Sequence, residues 1–137
     1  MSVIYRETVP DERRMDVVNR LFGLAFPLRL EAAVFSIAGR LSEQYRGGYW
    51  QFYTLCNSGF YMAPKTDAVF AVRCDNGYEG ALSADAFGLT VCLYAYSHLS
   101  FDDRDGTFAE ICAAQYHLLR PFALDHAEAG NILAAIA

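Results

Sequence analysis

Apolar and polar positions follow two different rhythms along the chain. Between Pro10 and Gly23, Met15, Val18, Leu21 and Phe22 recur at helical spacing, and Asp11 and Glu12 suit the positive end of a helix over about 11–22. Over about 27–45, Leu30, Val34, Ile37 and Leu41 form an apolar stripe opposite Arg29, Ser36, Arg40 and Glu43, with Gly47-Gly48 as the expected stop. The pattern then turns β-like. Residues 49–55 are aromatic and β-preferring, Asn57-Ser58-Gly59 reads as a turn, and an extended run resumes at 60–63 before Pro64. A third run, 69–74, meets Asp75-Asn76-Gly77, whose Asn-Gly pair accepts positive φ at both central positions of a tight hairpin, so 78–82 should return antiparallel. These segments predict an antiparallel meander of about four strands within residues 49–82.

Helical spacing returns after Ser83, a candidate N-cap for a helix over 84–99 that is apolar nearly all round, as in a helix buried on most sides. Residues 100–106 read as a polar loop. Thr107 with Glu110 suggests a capping box opening a helix over about 107–125, where Pro121 predicts a kink or break, and a short helix over about 127–136 should end the chain. Helices flanking an antiparallel meander define an α+β fold. At 137 residues, with no repeat or linker, the expectation is one domain over 1–137.

Seven aromatics lie between Tyr45 and Tyr61. The two-residue period of a strand puts Trp50 and Phe52 on one side and Tyr49, Gln51 and Tyr53 on the other. Trp50 and Phe52 are the expected core. Tyr49, Tyr53 and Arg46 are candidate partner-binding residues, because Tyr and Arg are enriched where interfaces concentrate their energy.

Charge narrows the function classes. Eleven basic against sixteen acidic residues give −5, which disfavours gripping nucleic acid through a broad basic face. The charge is uneven: +1 over 1–46, +1 over 47–74 and −7 over 75–137. A globule of this length is roughly 37 Å across. A DNA mimic of that width needs on the order of 20 phosphate-like charges on one side, since duplex DNA carries one per about 1.7 Å. Sixteen carboxylates offset by eleven cations fall short. The acidic run Asp102, Asp103 and Asp105 is a second candidate partner-binding site, although it lacks the ligand spacing and terminal Glu of a calcium loop.

Other chemistry is sparse. Cys56, Cys74, Cys92 and Cys112 are 18, 18 and 20 residues apart, without the close pairs of zinc or dithiol sites, and are expected to be buried small hydrophobes. His98, His117 and His126 form no paired ligand motif, so no metal is expected. Neither a nucleophile elbow nor a phosphate loop occurs, so neither catalytic residues nor a cofactor are assigned. With no apolar stretch of about 18 residues and no signal-peptide core, a cytoplasmic protein without a membrane partner is expected.

The run Tyr45-Arg46-Gly47-Gly48-Tyr49-Trp50-x-Phe52-Tyr53-x-Leu55-x-Asn57-x-Gly59-Phe60-Tyr61-Met62-Ala63-Pro64 resembles the signature of the ArdB/KlcA-type antirestriction proteins. The likeness continues at Arg14-Met15, Phe22-Gly23, Tyr78-Glu79-Gly80, Ser83-Ala84-Asp85-Ala86, Gly88 and Tyr116-His117-Leu118-Leu119-Arg120. It departs at Cys56 and Ser58, and at Pro121, where the family tends to continue its last long helix. The resemblance implies a non-enzymatic α+β accessory protein of mobile elements such as plasmids, protecting incoming unmodified DNA from type I restriction-modification enzymes. It implies partners among restriction enzyme subunits or associated host factors, and the charge count favours protein contact or an indirect route over DNA mimicry. Two alternatives are a small cytoplasmic hydrolase using His98 or His117 and a DNA-binding accessory protein using Arg13, Arg14, Arg20, Arg29, Arg40 and Arg46.

Overall fold

The computed structural model describes residues 3–102 and 106–137. The elements run β1 (Arg6–Thr8), α1 (Arg14–Phe22), α2 (Glu31–Leu41), β2 (Trp50–Leu55), β3 (Phe60–Pro64), β4 (Val69–Arg73), β5 (Glu79–Ser83), α3 (Ala84–Leu99), α4 (Gly106–Leu124) and α5 (Ala129–Ile136). This is the expected α+β class. Its long buried helix is α3, where Ser83 Oγ accepts the Ala86 N–H and caps the first turn as anticipated.

The strands do not form one meander. They form a three-stranded antiparallel sheet, β1-β2-β3, and a separate antiparallel pair, β4-β5. The reason lies at the outer edge of β3. Leu55 donates its N–H to Gly59 and Lys65 to Tyr49, so the odd-numbered residues of β3 face β2 while Phe60, Met62 and Pro64 turn their backbone groups away. Helix side chains take those groups. The Phe60 N–H donates to Gln115 Oε1 at 2.9 Å, the Phe60 carbonyl accepts Tyr96 Oη at 2.8 Å, and Met62 meets Cys92 Sγ through both its N–H and its carbonyl at 3.5 Å. Pro64 has no N–H to satisfy. With that edge closed, β4 has nowhere to pair.

Helix α3 crosses β3 at Gly88. A Cβ there would lie 2.4 Å from Ala63 Cβ and 2.5 Å from the Met62 carbonyl oxygen, so only glycine permits the approach. Around this crossing, Phe22, Phe26, Phe52 and Phe60 meet mostly edge to face, and Phe70 stacks on Phe87 at 4.5 Å.

Several expectations need correction. Strand β1 was not anticipated, because Arg6, Glu7 and Thr8 are all exposed and show no apolar alternation; it pairs through Arg6 with Leu55 and Thr8 with Tyr53. The stripe Leu30, Val34, Ile37 and Leu41 is buried as predicted. Its helix nevertheless opens with a wider π turn, Phe26–Leu30, and stops at Leu41, before the two glycines. Ser42 is already extended, which frees Tyr45 to accept the Trp50 Nε1–H bond at 3.1 Å. Hairpin β4-β5 forms, but with positive φ at Gly77 alone, since the Gly77 N–H closes a turn onto the Cys74 carbonyl. Helix α4 starts one residue before Thr107, so that residue is not its cap, and it continues through Pro121 to Leu124. Pro121 lies on the exposed face, where water can satisfy the carbonyl it leaves free, while Ala123 beyond it is fully buried. The last helix starts at Ala129 rather than 127. Cys74, Cys92 and Cys112 are buried, but Cys56, beside a turn in which Ser58 takes positive φ, is exposed.

Candidate functional site

Among the described residues a polar cluster gathers side chains from three elements and one turn. Asp85, in the first turn of α3, receives Arg6 Nη1 from β1 at 2.6 Å and Tyr61 Oη from β3 at 2.8 Å on Oδ1. Its Oδ2 receives His126 Nε2, from the turn between α4 and α5, at 2.9 Å. The Glu128 backbone N–H donates to His126 Nδ1 at 3.0 Å. A nitrogen that accepts carries no proton, so this geometry assigns the ring proton to Nε2, pointing at the carboxylate. Position in the first helical turn adds the favourable end of the α3 dipole to the Asp85 charge.

The surroundings tie the cluster to the sheet. Arg6 Nη1 also donates to Tyr61 Oη at 2.6 Å, and its guanidinium lies 4.3 Å above the Tyr53 ring, whose stacked partner at 4.9 Å is Tyr61. Burial, reinforced by the Asp85 charge, holds the Tyr61 phenol far above its ordinary pKa, so the hydroxyl stays protonated and donates. Burial opposes the charge on Arg6, but the Tyr61 hydrogen bond and the Asp85 charge outweigh it and raise its pKa. Glu128 binds Ser83 from the other side, with Oε1 accepting the Ser83 N–H at 2.9 Å and Oε2 its hydroxyl. Ser83, Asp85 and His126 are therefore neighbours but not a nucleophile–base pair. Both imidazole nitrogens are engaged, and the Ser83 hydroxyl is given to Glu128.

The residues proposed from sequence are only partly brought together. Tyr49 and Tyr53 do lie on the face of β2 opposite the buried Trp50 and Phe52. Tyr53 lines a groove of roughly 400 Å³ with Arg6, Asp85, Pro64, Lys65 and Thr66. Arg46 and Tyr49 line a smaller one, roughly 230 Å³, that shares Pro64, Lys65 and Thr66. The two grooves thus adjoin across the start of the β3-β4 loop. Within them, Arg46 Nη1 reaches back to the Glu43 carbonyl, and Tyr49 Oη donates to Asp11 and accepts from Arg14 at 3.2 Å. Hydrogen bonding to Asp11 is the main cause of a raised Tyr49 pKa.

Asp102 belongs to another region. It is paired with Arg29, both half-buried, and Arg29 lies 4.7 Å above the Phe108 ring, so this carboxylate is a tether rather than part of a free acidic face. Asp103 and Asp105 lie outside the described residues. Arg29, and Arg14 with its bond to the Trp50 carbonyl and its place 3.5 Å over the Phe52 ring, are built into the fold, which removes two cations from the DNA-binding reading. His98 and His117 are exposed, and among the described residues no group of three or more His, Cys, Asp or Glu side chains is placed to hold a metal ion.

Sequence reasoning passed over Arg6, Tyr61, Asp85 and His126 as a set. Tyr61 and Asp85 stood inside the family motifs and His126 among the three histidines, but nothing local joined them to Arg6.

A sequence model of the antirestriction protein family matches residues 43–137, and the chain belongs to that family. It is 46% identical over 138 residues to the antirestriction protein KlcA of Escherichia coli, covering 98% of this chain and 94% of that protein. A second Escherichia coli antirestriction protein KlcA is 39% identical, covering 93% and 91%. The fold matches, with a TM-score of 0.90, 36% identity and coverage of 99% of this chain and 96% of the other, a solved structure from a study of the KlcA and ArdB proteins. Those proteins are described as having a novel fold and antirestriction activity against type I DNA restriction systems in vivo but not in vitro. The ArdB/KlcA resemblance drawn from the aromatic run is thereby confirmed. Among the described residues no single helix is long and apolar enough to cross a membrane.

Proposed function

We propose that this chain acts as a single unit in the cytoplasm, protecting incoming unmodified DNA from type I restriction enzymes without imitating DNA and without catalysis. Contact with a restriction subunit or an associated host factor, or an indirect route through such a factor, is the mode that fits. The observation that carries this reading is the fate of the acids. Asp85 is held by Arg6 and His126, Asp102 by Arg29, Glu79 by Arg73 and Glu128 by Ser83. A phosphate-like array needs carboxylates that are free and aligned, and these four of the sixteen are held by internal partners. Activity in vivo but not in vitro, described for the KlcA and ArdB proteins, is also what a route through a further cellular component would produce.

The surface offered for contact is the adjoining pair of grooves that presents Arg46, Tyr49 and Tyr53 with Lys65 between them. Tyr supplies amphipathic area at low entropic cost, and the two cations contribute orientation. Plating unmodified phage on a restricting host, with and without the expressed protein, tests the function. Higher plating efficiency with the protein is expected, and equal efficiency would sink the proposal.

A further inference from the structure

We propose that the outer edge of β4 receives an extended, cationic segment of a partner protein as an added strand, along a groove that adjoins the Tyr/Arg face at Gln44. In the hairpin the Cys74 N–H donates to the Tyr78 carbonyl at 2.9 Å. Strand alternation then directs Val72 and Phe70 toward β5 and turns the backbone groups of Val69, Ala71 and Arg73 outward. Only one of the central groups is taken: the Ala71 N–H donates to Gln44 Oε1 at 2.7 Å. The Ala71 carbonyl and both backbone groups of Arg73 have no hydrogen-bond partner among the described residues. The same molecule closes the outward Phe60 and Met62 groups of β3 with Gln115, Tyr96 and Cys92. An edge left open beside one closed in this way is a template for another strand.

A groove of roughly 650 Å³ runs along this edge, between the end of α2 and the hairpin. Buried Leu41, Val72 and Cys74 form its apolar floor. The five residues of β4 offer about 17 Å of pairing length at about 3.3 Å per residue. Because the α2 end and Gln44 stand beside the edge, one thin strand fits there better than the flank of a second copy. Arg73 is paired with Glu79 at 2.7 Å, which leaves Glu43 and Asp75 against Arg40 on the rim. That surplus of acid selects a segment carrying Lys or Arg, with alternate apolar side chains toward Leu41.

Amide exchange of the full chain, measured by NMR with the probe peptide acetyl-Lys-Val-Lys-Val-Lys-Val-amide, tests this. Exchange at Arg73 should slow by about tenfold while Phe60 and Met62 stay as they were. The matching Glu-Val peptide should bind about tenfold more weakly. Arg73→Pro, which removes an outward N–H, should abolish binding, whereas Arg73→Ala should retain it. An unchanged Arg73 amide, equal binding of the Glu-Val peptide, or a folded R73P protein that binds undiminished overturns the proposal. So does Arg73 protection that rises with protein concentration alone, which would assign the edge to a second copy. If R73P fails to fold, the exchange data on the unaltered chain decide.

Discussion

Arg6 and Asp85 meet at 2.6 Å although 79 positions separate them in sequence, and this contact pins the first strand to the start of the central helix. Asp85 collects two further donors, Tyr61 and His126, so its removal strands three groups at once. Asp85→Ala is expected to cost about 2–3 kcal/mol, as for a hydrogen-bonded carboxylate whose partners stay behind. Arg6→Ala should cost less, about 1 kcal/mol, because the guanidinium is 41% exposed and water screens the pair. Urea denaturation of both variants checks the ranking, and a larger loss for Arg6→Ala would contradict it.

Gly88 and Gly39 make opposite predictions for the same substitution. Gly88→Ala drives a methyl into Ala63 and the Met62 backbone and should destabilise by about 3 kcal/mol. Around Gly39, in α2, a Cβ would meet nothing within 4 Å, so Gly39→Ala should stabilise by up to about 1 kcal/mol through helix propensity. Thermal melts of the two proteins should shift in opposite directions.

On the buried edge of β3, Gln115 Oε1 alone accepts the Phe60 N–H. Gln115→Leu keeps most of the volume but leaves the Phe60 N–H without its acceptor, at an expected cost of about 1–3 kcal/mol. Faster amide exchange confined to Phe60 and its neighbours would show that the loss is local. Unchanged exchange at Phe60 would mean the bond contributes little.

The thiols give a pH prediction with a definite sign. Burial pushes Cys92 up to about 12 from an ordinary value of 9.0, while in the unfolded chain it ionises near that ordinary value. Between these values the unfolded state binds fewer protons than the folded one, so stability is intact below about pH 9 and falls as pH rises toward 12. Buried Tyr61 and Tyr96 act in the same direction. Cys92→Ala should make the alkaline decline shallower. A thiol reagent at neutral pH should label exposed Cys56 rapidly and the three buried cysteines only on unfolding.

Arg46, Tyr49 and Tyr53 carry the functional prediction. Ala at Arg46 and Tyr49 together, and separately at Tyr53 with Lys65, should leave the protein folded and reduce the plating of unmodified phage toward that of unprotected cells. Their circular dichroism should match the parent. Folded variants that protect fully would rule out this face as the contact surface.

Local information was enough for much of the fold. The span of α3 and its Ser83 cap, the division of Trp50 and Phe52 from Tyr49 and Tyr53, and the hairpin at Gly77 each depend on residues within a few positions of one another. The aromatic run likewise sufficed for the family. Period and capping are short-range effects, so they are written in the sequence that produces them.

What the sequence could not decide was which distant groups satisfy one another. A strand pattern says that β3 and β4 are extended, but not that Gln115, Tyr96 and Cys92 occupy the edge where β4 would have paired. Arg6, Glu7 and Thr8 bury no apolar side chain, so their strand depends on backbone partners in β2 and on the contact of Arg6 with Asp85. The cluster at Asp85 draws donors from 79, 24 and 41 positions away. Tertiary packing decided these because unpaired polar groups must find partners wherever the chain's closure brings them, and that proximity has no trace in local order.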